Sequence, residues 1–193
     1  MKLGIALSGG SAKLVPAIGA VQAFDDFGLR PDAVSGCSMG AIVAAGWRAG
    51  YSGEQMREAF KSVSFPKLVP WRNYLFSSHD PEFRHGRFST RRLKERFLDP
   101  YLSAPPQGPR SFDLYLYAFD LSTGQPVFWP DTELPLSLSE AVLASLSLVP
   151  VFTPLRVLDR EGRPHHLADG GYYNPIPSEV LKVRAGCSTV IAV

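Results

Sequence analysis

Two short apolar runs, each handed straight into a glycine-containing turn and then a helix-like stretch, constrain the fold of this chain more than any other feature. The first, "KLGIAL", reads as a fully buried strand, with "SGGS" following as a loop. Pro16 then stands in the first turn of a helix whose apolar stripe is Ile18, Val21, Phe24 and Phe27, and Gly28 ends it. The second run, "DAVSG", leads to a helix opened by Ser38, in which Gly40, Ala41, Ala44 and Ala45 keep one side thin enough to lie close on a sheet; Gly50 is its stop. Capping boxes at Ser52/Gln55 and Ser137/Glu140 introduce two more helices, the second running until the chain reaches Pro150. "DLYLYAF", 113 to 119, alternates as a strand, and "TVIAV" closes the chain with another. This succession predicts an α/β sheet with helices on both faces.

The chain has 193 residues, of which 45% are hydrophobic, enough to bury one sizeable core but short for two, so one domain is expected. A net charge of +2 gives no bias toward nucleic acid, and no nucleic-acid partner is expected. Cys37 and Cys187 lie far apart without C-x-x-C spacing, which suggests neither a disulfide framework nor a zinc site and favours a reducing compartment. "LGIAL" is too short, and breaks into too polar a stretch, to be a signal-peptide core, and no run of about 18 apolar residues exists to span a bilayer. A cytoplasmic setting follows as the expectation.

The middle, about residues 62–96, is different: rich in Pro, aromatics and Arg, with little periodicity until "STRRLKERFL" turns helical. From Lys61 to Arg96 there are nine Lys/Arg against three Asp/Glu. This reads as an irregular, cap-like segment. Its interleaved basic and aromatic residues suit peripheral contact with an anionic lipid surface, and equally a solvated helix face with ordinary packing aromatics.

Gly36, Cys37, Ser38, Met39 and Gly40 form G-x-S-x-G between a strand and a helix, the context of a nucleophile elbow, where side chains two residues from the serine would collide with the turn. The helix N-terminus contributes positive potential, and the Met39 N–H is available to a developing oxyanion. Equally, Ser38 is a small residue in a tight turn. A serine hydroxyl needs a base. Of the four histidines, His79 and His85 fall in the irregular middle, and only His165 or His166 could satisfy an α/β-hydrolase order with an earlier acid. "LADGGYYNPIP" offers a carboxylate instead: Asp169 follows an apolar segment and precedes Gly170 and Gly171, though Asp-Gly alone is an ordinary turn. In the first loop, "LSGGSAK", Gly9 and Gly10 leave backbone N–H groups suited to an oxyanion or a phosphate, without the P-loop pattern.

Together, "LSGGSAKLVPAIG", "GCSMG" and "ADGG" resemble the patatin-like phospholipase family, in the same order and at plausible distances; "ASLSLVPVFTP", 144 to 154, is similar to the segment between its active-site motifs. The likeness spans most of residues 2 to 193, with the middle unmatched. It implies a three-layer α/β/α sandwich with a mainly parallel sheet, no metal or cofactor, and a Ser-Asp dyad of Ser38 as nucleophile and Asp169 as base. The oxyanion hole would draw on Gly9, Gly10, Ser11 and Met39, supported by Lys13, Gly170 and Gly171. Ser11 stands where the family has a third glycine, Lys13 at its basic position, and Leu14 at the usual following glycine. The chain stops where a last core strand is expected, which fits a minimal member or a shortened chain.

Three functions follow as expectations. The first is a serine acyl hydrolase acting on lipid or phospholipid acyl esters through an acyl-enzyme, or an acyltransferase differing only in acceptor. The second is a non-catalytic lipid- or anion-binding module on the same fold. The third is an esterase using His165 or His166. Cys37, beside Ser38, is read as a small elbow residue, with an alkylation-sensitive thiol as the competing reading.

Overall fold

The computed structural model describes residues 1–10, 14–62, 90, 93–103 and 108–193. Ser11, Lys13, His79, His85 and nearly all of the expected cap-like segment lie outside these residues. The two runs that opened the sequence are strands: β1 (Leu3–Leu7) and β2 (Ala33–Cys37) pair in parallel, Gly4 opposite Ala33 through Leu7 opposite Gly36. β7 (Thr189–Ala192) adds in parallel on the far side of β1, and β3 (Asp113–Asp120) on the far side of β2. Beyond β3 the sheet turns antiparallel, with β4 (Gln125–Trp129), β5 (Leu155–Leu158) and β6 (Pro164–Asp169) completing seven strands. Parallel pairing is therefore confined to the half of the sheet that carries the two turns.

Helices cover both faces. On one, Ile5, Leu7, Val34, Leu114 and Leu116 of the sheet pack with α1 (Leu14–Asp26), α2 (Met39–Ala49), α3 (Gly53–Ser62) and α5 (Leu138–Leu146). A buried Leu or Ile contributes about 1.5–3 kcal/mol, so this face holds most of the fold's apolar stabilisation. On the other face β1 and β2 present small residues: a side chain at Gly4 would crowd Leu181 and Cys187, and Ala6 and Ala33 pack with Val180 and Leu181 of α6 (Ser178–Val183). The buried Ser35 hydroxyl donates to the Pro177 carbonyl at 2.7 Å and ties the entry of α6 to β2. A further helical element is a π turn at Lys94–Leu98 running into the short α4 (Asp99–Ser103). Both predicted capping boxes form: Gln55 and Ser52 bond reciprocally, as do Glu140 and Ser137. Phe27, expected in the stripe of α1, is exposed because the helix ends at Asp26.

The antiparallel half positions the site. Tyr117 of β3 pairs with Cys37 on one edge and Phe128 on the other; the next residue, Ala118, pairs with Asp169 and Val127. β6 thus takes up the edge of β3 that β2 leaves. Because β2 runs parallel to β3 and β6 antiparallel to it, their C-terminal ends meet head to head. The residue after β2 is Ser38, and the last residue of β6 is Asp169.

Candidate active site

Among the described residues Ser38 alone combines a side chain with positive φ (φ 52, ψ −123). Such backbone costs on the order of 1–3 kcal/mol and persists only where its surroundings over-determine it. Here they do. A Cβ at Gly36 would lie 2.6 Å from the Gly40 carbonyl oxygen, and one at Gly40 would strike the Leu7 backbone, so both glycines let β2 swing directly into α2 against the end of β1. The first turn of α2 is left with N–H groups pointing forward, and Ser38 makes no side-chain cap to them. Its hydroxyl is turned elsewhere.

That hydroxyl donates to Asp169 Oδ2 at 2.6 Å. The other carboxylate oxygen accepts the Gly171 N–H at 2.8 Å and a long contact from the Cys37 thiol at 3.8 Å. Asp169 is buried, and burial raises its pKa above the usual carboxylate value, partly offset by the hydrogen bonds from Ser38, Gly171 and Cys37. No cation is among these partners. A desolvated carboxylate with a neutral hydroxyl on one oxygen has the geometry that general-base chemistry requires. The Asp-Gly-Gly turn is built for this: a 3₁₀ turn, Gly170–Tyr172, starts at Asp169, and any side chain on Gly170 would collide with Tyr117.

The glycine loop meets the serine from the opposite side. A Cβ at Gly9 would sit 3.1 Å from Ser38 Cβ, and Gly10 takes φ 125, a backbone that only glycine adopts readily. One expectation needs correction here. The Gly9 N–H, expected to face the reacting oxygen, donates to the Pro175 carbonyl at 2.8 Å and so fastens the loop to the segment after Asp169. The N–H groups of Gly10 and Met39 take no partner among the described residues.

Neither histidine of β6 approaches Ser38. His165 lies four residues from Asp169 along the strand, roughly 13 Å at strand rise, with Nδ1 2.7 Å from Asp120 Oδ2 and Nε2 3.4 Å from Asp159 Oδ2. His166 Nδ1 is 3.0 Å from Ser122 Oγ. The Cys37 thiol is fully buried, and burial followed by the charge of Asp169 pushes its pKa far up, contrary to a reactive thiol. No cluster of His, Cys, Asp or Glu among the described residues could hold a metal ion, and no helix there is long and apolar enough to cross a membrane.

What sequence reasoning missed is the support behind the serine. Ser145, buried in α5, accepts the Ser38 N–H on its hydroxyl at 2.8 Å and donates to the Tyr117 carbonyl at 2.6 Å. A serine inside the otherwise apolar run 141–146 of that helix was the available signal.

A strained serine at the strand-to-helix turn of a three-layer α/β/α sandwich, bonded to a carboxylate from a second strand end, defines the general class of elbow-serine proteins. Comparison with known proteins narrows it. The family model for patatin-like phospholipase matches residues 5–182, and the chain belongs to that family. It is 27% identical over 193 residues to neuropathy target esterase sws of Drosophila melanogaster, covering 99% of this chain but 13% of that protein. Similarity to the Drosophila persimilis counterpart is 28% over 177 residues, covering 91% of this chain and 11% of that one. Among solved structures it resembles VipD from Legionella pneumophila, with a TM-score of 0.56 at 16% identity, over 99% of this chain and 49% of that one, a likeness of fold.

Proposed function

We propose that the protein is a serine acyl hydrolase that cleaves lipid or phospholipid acyl esters through an acyl-enzyme on Ser38, with Asp169 as general base. The observation that carries this reading is the 2.6 Å hydrogen bond from the Ser38 hydroxyl to a buried carboxylate that has no cationic partner among the described residues. Ser38 Oγ attacks the ester carbonyl carbon as its proton passes to Asp169 Oδ2. The carbonyl oxygen becomes an oxyanion, held by the Met39 and Gly10 N–H groups at the positive end of α2. As the tetrahedral adduct collapses, Asp169 returns the proton to the departing alcohol and the acyl group stays on Ser38. Asp169 then takes a proton from water, hydroxide adds to the acyl carbon, and collapse restores Ser38 with its proton and frees the fatty acid. An alcohol in place of that water gives acyl transfer.

Membership of the patatin-like phospholipase family supports a lipid substrate, and so does the rim of the site. Residues 147–154 and 170–177, the two segments joined where the Asp169 N–H meets the Ser147 carbonyl, contain no Asp, Glu, Lys or Arg. They expose Leu148, Val151, Tyr172, Tyr173 and Ile176, a surface suited to alkyl chains. The test is release of a chromophore from a medium-chain acyl ester by folded parent, Ser38→Ala and Asp169→Asn. Both variants are expected to lose at least about a hundredfold in rate, near 2.7 kcal/mol of transition-state stabilisation. Turnover at the parent rate in either variant contradicts the proposal. An inert parent that still binds anions, with binding retained in Ser38→Ala, favours a binding module instead.

A further inference from the structure

The ladder between β2 and β3 ends at Cys37 opposite Tyr117, just where the chain leaves the sheet at Ser38. Without a partner between them, the half-buried Ser38 N–H and the buried Tyr117 carbonyl would face each other across a gap, both unpaired. The Ser145 hydroxyl fills it, accepting from the first and donating to the second, 2.8 and 2.6 Å. Ser145 has no exposed surface and its neighbours Leu143, Ala144 and Leu146 are core residues, so the hydroxyl is an anomaly in α5 that packing alone does not explain. Two residues on, the Ser147 carbonyl accepts the Asp169 N–H at 3.0 Å, while the Ser147 hydroxyl donates back to Leu143 at 2.8 Å and fixes the end of the helix. The same helix end therefore grips the backbone of Ser38 through a side chain and the backbone of Asp169 through a carbonyl.

We propose that Ser145 is a positioning residue: its bridge from the Ser38 N–H to the Tyr117 carbonyl holds the strained elbow, and α5 thereby sets the separation of the Ser38 hydroxyl from the Asp169 carboxylate. Ser145 touches no substrate and moves no proton in the reaction. The inference rests on the hydrolase reading for its kinetic consequence, while the bridge itself can be tested without activity. Removing the hydroxyl frees the elbow to relax toward ordinary backbone, and a displacement on the order of 1 Å at a reacting group costs up to about a hundredfold in rate.

The experiment compares parent, Ser145→Ala, Ser145→Cys and Val142→Ala, the last a control that removes buried volume from the same helix without touching the bridge. Reactive sites are counted by covalent labelling with a fluorophosphonate, and kcat per labelled site and KM are measured on a soluble acyl ester. Amide hydrogen exchange is followed at Ser38. Ser145→Ala is expected to lower kcat per site about tenfold to a hundredfold with KM within about twofold, and to speed Ser38 exchange. Val142→Ala should lower Tm while leaving kcat per site and Ser38 exchange near parent. Ser145→Cys, close in size and a weaker hydrogen-bond partner, should follow alanine and stands in for it if that variant does not fold. A kcat per site within twofold of parent, or equal losses in the Val142 control, overturns the proposal. If the parent neither labels nor turns over, the hydrolase reading falls, and unchanged Ser38 exchange in the Ser145 variants overturns the bridge independently.

Discussion

The two ends of β6 each carry a carboxylate cluster, and the two are opposites. At one end His165 bonds Asp120, which also accepts from Thr123 Oγ1 at 2.8 Å and the Ser122 N–H at 2.9 Å; Asp159 is held by Arg163 at 2.7 Å. Burial raises the pKa of both acids, but the hydrogen bonds outweigh it and leave both below the usual carboxylate value. At the other end Asp169 has a hydroxyl, a thiol and one amide, too little to offset burial, and its pKa is raised. An acid ringed by donors and cations is a fixed anion that fastens β3 to β6. An acid buried with neutral partners is one that can take up a proton.

The contrast breaks most sharply under substitution of the two acids. Asp169→Asn should lose about a hundredfold or more in ester turnover while its Tm at neutral pH is not lowered, because folding no longer buries an ionised group. Asp120→Asn should do the reverse. Loss of charged hydrogen bonds at a buried acid costs about 2 kcal/mol, or roughly 4–8 °C in Tm, with turnover per folded molecule nearly unchanged; thermal melts beside rate assays decide both. If Asp120→Asn abolishes turnover with the fold intact, the division between the two ends is wrong.

Next in size is pH. In the proposed reaction Asp169 must be ionised to accept the Ser38 proton, so the acid limb of kcat/KM should lie above the ordinary Asp value of about 3.9. His165 behaves oppositely. Its hydrogen bond to Asp120 raises its pKa, so its contribution to stability is fully present below its unfolded value of about 6.5 and is lost as pH rises through the raised folded value. Asp120 and Asp159, held down, contribute above about 3.9 and lose that contribution as pH falls through their folded values. Melts of parent and His165→Ala from acid to mildly alkaline pH should converge as pH rises, and a constant gap contradicts the assignment. The smallest effect belongs to Cys37: brief iodoacetamide treatment of native protein should add no mass at Cys37 and leave turnover unchanged, since the thiol is buried and held neutral.

Sequence reading reached the parts of this site whose cause is local. G-x-S-x-G, Asp-Gly-Gly and Ser-Gly-Gly are turn chemistry, and turns are written in consecutive residues. β1, β2, β3 and β7 were legible as apolar or alternating runs, and the capping boxes at Ser52 and Ser137 as spaced pairs. β4, "QPVFW", and β5, "LRVL", were not read as strands, because one starts beside a proline and the other spans four residues of weak alternation. What escaped was non-local. That β6 would meet β2 end to end is set by pairing with β3, and no local pattern records it. Ser145 escaped for the same reason, since its partners lie 107 and 28 residues away in sequence.

The most direct test of the central claim, that Ser38 is a nucleophile served by Asp169, is to treat folded parent with a fluorophosphonate and map the adduct by peptide mass. The account predicts one phosphonyl group on the peptide containing Ser38, absent in Ser38→Ala and formed at least about a hundredfold more slowly in Asp169→Asn. An adduct on a different residue, or labelling of Asp169→Asn at the parent rate, would contradict it.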